Sequence, residues 1–381
     1  MPSRHSDFVK PHPTEVLVTG FAGDPLEDKM EPSDRDYPHA ELAAAMRRTT
    51  AATRQQLLTT MSALLVGVRR VAILDFPLHT NSGDLLIYLG ELAIFKALGI
   101  RVIAVSEAGA YDTALYQSLP LDTLMVFHGG GDFGDLWPWE HDMRLKEARD
   151  LRQYRGLFMP QTLWFRDQQN ISITQGALQE LPNIQLTWRD RLSYESAREL
   201  FPRTRSVLVP DSAFALDPWR RPRSTRFVRQ HTFLALARTD QESSGLAAVP
   251  IPGVVRADWR RALVLEYPDR IVRQIARWER RRPGIYGMRL RKRIFHLYAL
   301  IHKQSVALQM SRHRVVILDR LHAWISCMML GVPHVVVDTK YGKISNLIDT
   351  WAPDESRFVV RSAEDAEQLA RSLDLGSKSV T

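Results

Sequence analysis

Cysteine is nearly absent: among 381 residues there is one, Cys327. That rules out an internal disulfide and any zinc site built on paired cysteines. Cys327 lies in an apolar run with Ile325, Met328 and Met329, which reads as a packed thiol rather than a nucleophile or ligand. Long hydrophobic runs are missing as well. No stretch of about 18 uncharged apolar residues occurs, and the N-terminal MPSRHSDFVKPHPTEV lacks the apolar centre of a secretory signal. The expectation is a soluble, cytoplasmic protein. HExxH, paired Cys/His spacings, the GxSxG elbow and the P-loop with its Lys-Ser/Thr are all lacking. With them go the sequence grounds for a metal site, a serine hydrolase or a nucleoside triphosphate. Gly129–Gly134 has the letters of GxGxxG, but a lone glycine run does not ground a dinucleotide site.

What is present suffices for two cores, since 45% of the residues are hydrophobic. The net charge of +8 is unevenly placed: between Arg256 and Lys303, 14 Lys or Arg stand against 4 Asp or Glu, a local +10. A solvated helix face is the plain account of such a run. As a partner, an anionic membrane surface suits it. Specific nucleic-acid recognition is not expected, because no helix-turn-helix, zinc-finger spacing or RNP-type aromatic pattern accompanies it.

Residues 1–40 are rich in Pro, Asp and Glu and read as an N-terminal arm. Asp34-Arg35-Asp36 fits a DxD pattern there, but no strand precedes it, so it is read as incidental. A helix is expected from Glu41 to about Leu65, with Leu57, Leu58, Met61, Leu64 and Leu65 on one face. Strands follow at Val71–Phe76, Arg101–Val105, Leu124–Phe127 and Gly156–Met159, with weaker candidates at Ile184–Leu186 and Ser206–Val209. A helix from Leu85 to Leu98 separates the first two. The alternation predicts a doubly wound parallel sheet over 41–216. DPWRRPRSTR (217–226) reads as a linker. A second Rossmann-like domain is expected over 227–381: a strand at His231–Ala237, the basic helices, a strand-helix-strand unit over Val315–Val337, then a strand at Arg357–Val360 and a helix at Ala363–Leu373.

Four polar constellations follow predicted strands, where open α/β sheets bind their ligands. In His79-Thr80-Asn81-Ser82-Gly83-Asp84, the Asn, Ser and Gly suit a tight turn and Asp84 is a candidate either for the helix cap or for chemistry. In HGGGDFGD, read as a glycine-rich turn, Gly129, Gly130 and Gly131 let backbone amides approach a ligand, with Asp132 beside them. Ala237-Arg238-Thr239-Asp240 offers an arginine for a phosphate or carboxylate, with pairing to Asp240 as the plain alternative. Asp319-Arg320-Leu321-His322 opens a buried helix whose N-terminus favours an anion, and His322 has the best context of the histidines. His79, His128 and His141 lack comparable context.

Together, NSGD, HGGGDFGDLW, TWRDRLSYE, VPDSAFAL, LARTDQES and DRLHAWISCMMLGVPHVVVDTKYGKISNLIDTW resemble the polysaccharide pyruvyl transferase family, in order from about residue 75 to 351. The resemblance implies a glycosyltransferase-B-like fold of two Rossmann-like domains with a cleft between them. It implies transfer of a pyruvyl group from phosphoenolpyruvate to a sugar as a ketal, with release of phosphate and with no cofactor. Carried over, Arg320 and His322 lie at the donor site with Leu321 between them, Arg238 belongs to the other donor-side motif, and Asp84 is the acidic residue of the first domain. Lys343 of the YGK turn is expected beside the donor. Asn81, Gly83, Gly130, Gly131 and Asp132 are expected to line the cleft. His322 is the candidate general acid, Asp84 the candidate base, and Arg320 the clamp. The implied acceptor is an exopolysaccharide or cell-surface glycan precursor, carried on lipid at the inner membrane face, which the 256–303 segment would suit. Two other readings remain: a glycosyltransferase with a nucleotide-sugar donor, and a non-catalytic scaffold for anionic glycan or lipid.

Overall fold

The computed structural model describes residues 39–79, 81–222, 231–249, 251, 253–259, 268, 270–275 and 285–376. The N-terminal arm through residue 38, with Asp34-Arg35-Asp36, lies outside the described residues, as do Thr80, residues 223–226 of the linker and residues 260–267, 269 and 276–284 of the basic segment.

Helix α1 (Ala40–Leu64) buries Ala43, Met46, Thr50, Thr53, Leu57 and Met61, a stripe at three- and four-residue spacing. Seven strands follow: β1 (Arg70–Phe76), β2 (Arg101–Glu107), β3 (Leu124–Phe127), β4 (Gly130–Gly134), β5 (Gly156–Trp164), β6 (Ile184–Trp188) and β7 (Arg205–Leu208). They form one parallel sheet in the order β2-β1-β3-β5-β6-β7, with β4 added beside the end of β5. The connecting helices are α2 (Ser82–Ala97), α3 (Thr113–Gln117), α4 (Pro138–Asp150), α5 (Gln168–Gln179) and α6 (Arg191–Leu200). A second parallel sheet, in the order β12-β11-β10-β8-β9, is built from β8 (His231–Leu236), β9 (Val254–Ala257), β10 (His313–Leu318), β11 (His334–Val337) and β12 (Val359–Val360). Its helices are α7 (Ile285–Ser311), α8 (Leu321–Leu330), α9 (Lys343–Trp351) and α10 (Ala363–Gly376). The expected pair of Rossmann-like sheets is therefore present.

Four local expectations change. The glycine run is a strand, not a turn: a Cβ on Gly134 would sit 1.8 Å from the Trp164 carbonyl oxygen, so only glycine lets β4 approach β5 this closely. Strand β5 continues past Met159 through Pro160, where its register with β6 shifts, as expected of a residue that cannot donate to a ladder. The strand over Arg357–Val360 shrinks to Val359–Val360, because Pro353–Phe358 forms a 3-10 turn. And α2 begins at Ser82, three residues earlier than predicted, because Asn81 rather than Asp84 is its cap, accepting from the Gly83 amide at 3.1 Å. Asp84 is thereby left for the cleft.

One continuous core joins the two sheets. Phe76 at the end of β1 stacks on Phe295 of α7 with centroids 4.0 Å apart, and Phe214 meets Trp324 of α8 edge-on. Every residue of α8 is buried; each large aliphatic side chain so placed contributes about 1.5–3 kcal/mol. Polar ties reinforce the joint. Trp351 Nε1 donates to the Arg189 carbonyl at 2.6 Å, and Trp137 Nε1 donates to Glu242 at 3.1 Å. The carboxyl ends of both sheets thus face a shared cleft. No described helix is long and apolar enough to cross a membrane.

Candidate active site

A cavity of about 320 Å³ occupies that cleft. From the first sheet it is lined by Asp75, Asn81, Asp84, His128, Gly131, Asp132, Arg144 and Arg189. From the second come Arg238, Glu242, Trp259, Arg320, Leu321, His322 and Lys343. All four constellations predicted from sequence therefore converge. A hollow of about 410 Å³ lies elsewhere, among α1, α9 and Ala352–Glu355. It is larger, but of the strand ends only that of β7, at Leu208, reaches it and none of the four constellations does, so the cleft is the candidate site.

His322 stands in the first turn of α8 and is 8% exposed. Its Nε2 lies 3.4 Å from Oδ2 of Asp211, at ion-pair rather than hydrogen-bond distance. The same Asp211 oxygen accepts from Arg189 Nη1 at 2.9 Å, and its Oδ1 accepts from the Ala213 amide at 2.9 Å. Burial opposes the charge on Asp211. His322, Arg189 and the Ala213 amide outweigh it and hold the carboxyl well below the usual range. The histidine thus has a carboxylate beside it, the arrangement that orients an acid-base imidazole. Asp211 belongs to the first sheet's half and His322 to the second's.

On its other side the ring meets Gly83, where a Cβ would lie 2.7 Å from His322 Nδ1. Helix α2 therefore reaches the imidazole only because residue 83 has no side chain. Gly83→Ala is expected to displace the ring and lower turnover about 100-fold, since misplacement by about an ångström costs that much. Unfolding temperature and rate measured together check this; a full-speed variant would refute it.

Each basic group carries an acidic partner. Arg320 gives Nη2 to Asp258 at 2.7 Å and lies over the Trp259 ring, while its Nε is buried with no acceptor. Burial pulls the Arg320 guanidinium down from its ordinary pKa. Arg238 takes the plain alternative raised from its sequence: it is bidentate to Asp240, at 2.8 and 3.0 Å, and also touches Glu242. Lys343 Nζ lies 3.0 Å from Glu242 and 3.3 Å from the Gly131 carbonyl, and burial lowers its pKa. Asp319, also on the cavity wall, accepts from the Arg238 amide and the Ser244 hydroxyl, both at 2.8 Å, and so fixes the loop that presents Arg238.

On the first sheet's side, Asp84 accepts from Asn81 Nδ2 at 2.7 Å and lies 3.4 Å from His79 Nε2. Asp132 pairs with Arg144 at 3.2 Å, and burial notwithstanding, Arg144 and Lys343 keep its carboxyl below the usual range. Arg144 also binds Asp75 at 3.1 Å. Asp75 is the one non-glycine among the described residues with a left-handed backbone, φ 67°, a conformation found mostly where surrounding structure enforces it. Behind it, burial and the neighbouring Asp75 push the Glu147 carboxyl well above its usual range. Gly83 and Gly130 shape the cleft without facing it directly.

Arg189, Asp211, Arg144, Glu242 and Asp258 escaped the sequence reading. The first two had a signal, being the polar residues that follow β6 and β7 in TWRD and VPDS. The others sit within helices or loops with no local pattern to mark them. Among the described residues no cluster of three or more His, Cys, Asp or Glu side chains is placed to hold a metal.

Comparison with known proteins follows the same lines. A fungal relative, "Pyruvyl transferase 1" of Schizosaccharomyces pombe, is 31% identical over 332 residues, covering 85% of this chain and 79% of its own. EpsO of Bacillus subtilis is 28% identical over 309 residues, 77% of this chain and 89% of its own. A functionally uncharacterised protein from Klebsiella pneumoniae shares the fold, with a TM-score of 0.51 at 15% identity over 80% of this chain and 99% of its own. The family model described as polysaccharide pyruvyl transferase matches residues 81–341, which takes in NSGD, the glycine run, ARTD, DRLH and Tyr341. On this match and that of the fungal relative, the chain belongs to the polysaccharide pyruvyl transferase family and is a transferase.

Proposed function

We propose that the enzyme transfers a pyruvyl group from phosphoenolpyruvate to a sugar of an exopolysaccharide or cell-surface glycan precursor, forming a ketal and releasing phosphate. One observation carries the reading: a histidine set between a carboxylate and a glycine, in a cavity of about 320 Å³ that also holds Arg320 and Lys343. Phosphoenolpyruvate is small and bears a carboxylate and a phosphate. Arg320, whose buried Nε lacks an acceptor, clamps one of these groups, and Lys343 meets the other. Arg238 joins them by exchanging Asp240 for the donor, with Leu321 packed against it. His322 gives a proton to the methylene carbon as a sugar hydroxyl attacks the central carbon and Asp84 takes the hydroxyl proton. Loss of phosphate and attack by a second hydroxyl close the ketal. Arg189 and Asp211 hold His322 in place throughout.

Phosphorus NMR tests this with lipid-linked glycans as acceptors. Inorganic phosphate released from phosphoenolpyruvate supports it. Nucleoside diphosphate released from a nucleotide sugar would replace it with glycosyl transfer, and no turnover of either donor would leave a scaffold.

We further infer that the acceptor is met at the inner face of the plasma membrane, with α7 resting on anionic lipid. This helix contains no Asp or Glu, and its exposed face carries Arg289, Leu290, Arg293, Leu297 and Leu300, basic and apolar groups in one stripe as interfacial helices require. Flotation is expected with phosphatidylglycerol vesicles and not with phosphatidylcholine, and Arg289→Glu with Arg293→Glu is expected to abolish it. Equal flotation on both lipids would remove the inference.

A further inference from the structure

The cavity holds a second histidine that the donor chemistry leaves unused. His128 follows β3, is 2% exposed and lines the cavity on the first sheet's side. Its Nδ1 lies 3.1 and 3.2 Å from the two carboxylate oxygens of Glu91, a fully buried residue of α2. Glu91 is itself fixed by the Gly129 amide at 2.9 Å, and the His128 carbonyl accepts from Gln161 Nε2 at 2.7 Å. A carboxylate offers no proton, so Nδ1 carries the hydrogen and Nε2 of the neutral ring is an acceptor. That Nε2 is buried and has no hydrogen-bond partner. A buried acceptor on a cavity wall calls for a ligand that brings a donor.

We propose that His128 is a catalytic base for the glycan acceptor, taking at Nε2 the proton of the second hydroxyl that closes the ketal, with Glu91 as its positioning residue. The proposal rests on the pyruvyl-transfer reading. Ketal formation strips two hydroxyl protons and consumes two, one at the methylene carbon and one on the departing phosphate. Asp84 collects the first as the first C–O bond forms, while His322 supplies the carbon. The ester C–O bond to phosphate then breaks, and the second hydroxyl oxygen bonds the same carbon as its proton passes to His128 Nε2. That proton leaves on phosphate, and the one on Asp84 returns to His322 through solvent, so the enzyme is reset.

The surroundings suit a base. Burial lowers the proton affinity of the ring, but Glu91 outweighs it, with Asp84 assisting and Arg144 opposing, so its pKa lies above the ordinary value. Asp132 of β4 also couples to the ring. The group therefore works only above that raised pKa, which sets an acidic limb on the rate.

Nitrogen NMR of the full chain labelled at histidine, with phosphate release from phosphoenolpyruvate in the presence of methyl β-D-glucopyranoside or its 4-epimer, tests the proposal. The Nδ1–H tautomer is expected in the wild type. His128→Gln is expected to lower kcat about 100-fold or more, leaving phosphoenolpyruvate affinity by tryptophan fluorescence within about threefold. Glu91→Gln keeps the acceptor for the Gly129 amide but presents a donor to Nδ1. It should switch His128 to the Nε2–H tautomer, lower kcat and move the acidic limb to lower pH, which a purely structural role would not do. A wild-type Nε2–H tautomer, or a His128→Gln variant within about threefold of wild-type kcat, overturns it. Wild-type enzyme that releases no phosphate from phosphoenolpyruvate with these glycosides or with a lipid-linked glycan overturns the pyruvyl-transfer reading, and the catalytic role of His128 falls with it.

Discussion

His322→Ala is expected to lower phosphate release from phosphoenolpyruvate about 1,000-fold, because a positioned proton donor supplies about 100- to 10,000-fold and nothing beside it takes over. The fold should survive. Asp211 keeps Arg189 and the Ala213 amide when the imidazole is removed, so its buried charge retains two hydrogen bonds. The space left borders Gly83 and the cavity rather than the sealed core. Single-turnover phosphate release and thermal unfolding, measured on the same preparation, separate the two effects. Release near the wild-type rate would remove His322 from the chemistry and leave Asp211 without a catalytic purpose.

Arg320→Ala is expected to act on binding instead. A hydrogen bond to a charged group contributes about 1.5–3 kcal/mol, so losing it raises the KM for phosphoenolpyruvate about 10- to 150-fold. The maximal rate should change far less, since the proton donor stays in place. Arg320 is also the cation beside Asp258 and over Trp259, whose side chains are both largely buried, so Arg320→Ala alone would mix binding with stability. Arg320→Lys resolves this. It keeps the charge near Asp258 but loses the planar fork that grips a phosphate or carboxylate; its KM should still rise while its unfolding temperature stays close to wild type. A Lys variant with unchanged KM would transfer the clamp to Lys343.

Much of the molecule was legible because α/β sheets are built from short periodic runs with polar residues at their ends. DRLH, ARTD and NSGD each follow an apolar strand, and that placement brought them to one cleft. HGGGDFGD was misjudged locally because glycine is poor strand-forming material; the reason it forms a strand, a carbonyl 1.8 Å from where a Cβ would stand, belongs to Trp164 and is invisible in the run itself. The link from His322 to Asp211 joins residues far apart in sequence and carried by different sheets, so no spacing could announce it. Arg238 shows the converse: its sequence left two partners open, and the short bond to Asp240 is the one present.

Asp211 ties the proposed acid to the joint between the sheets. Imidazole and carboxylate come from different halves of the molecule and stand 3.4 Å apart, while Gly83, from the same half as the carboxylate, meets the ring at its other nitrogen. The core shared by both sheets therefore also sets the spacing of these groups. On the proposed reading, a substitution buried at that joint would slow turnover through this spacing without touching either substrate.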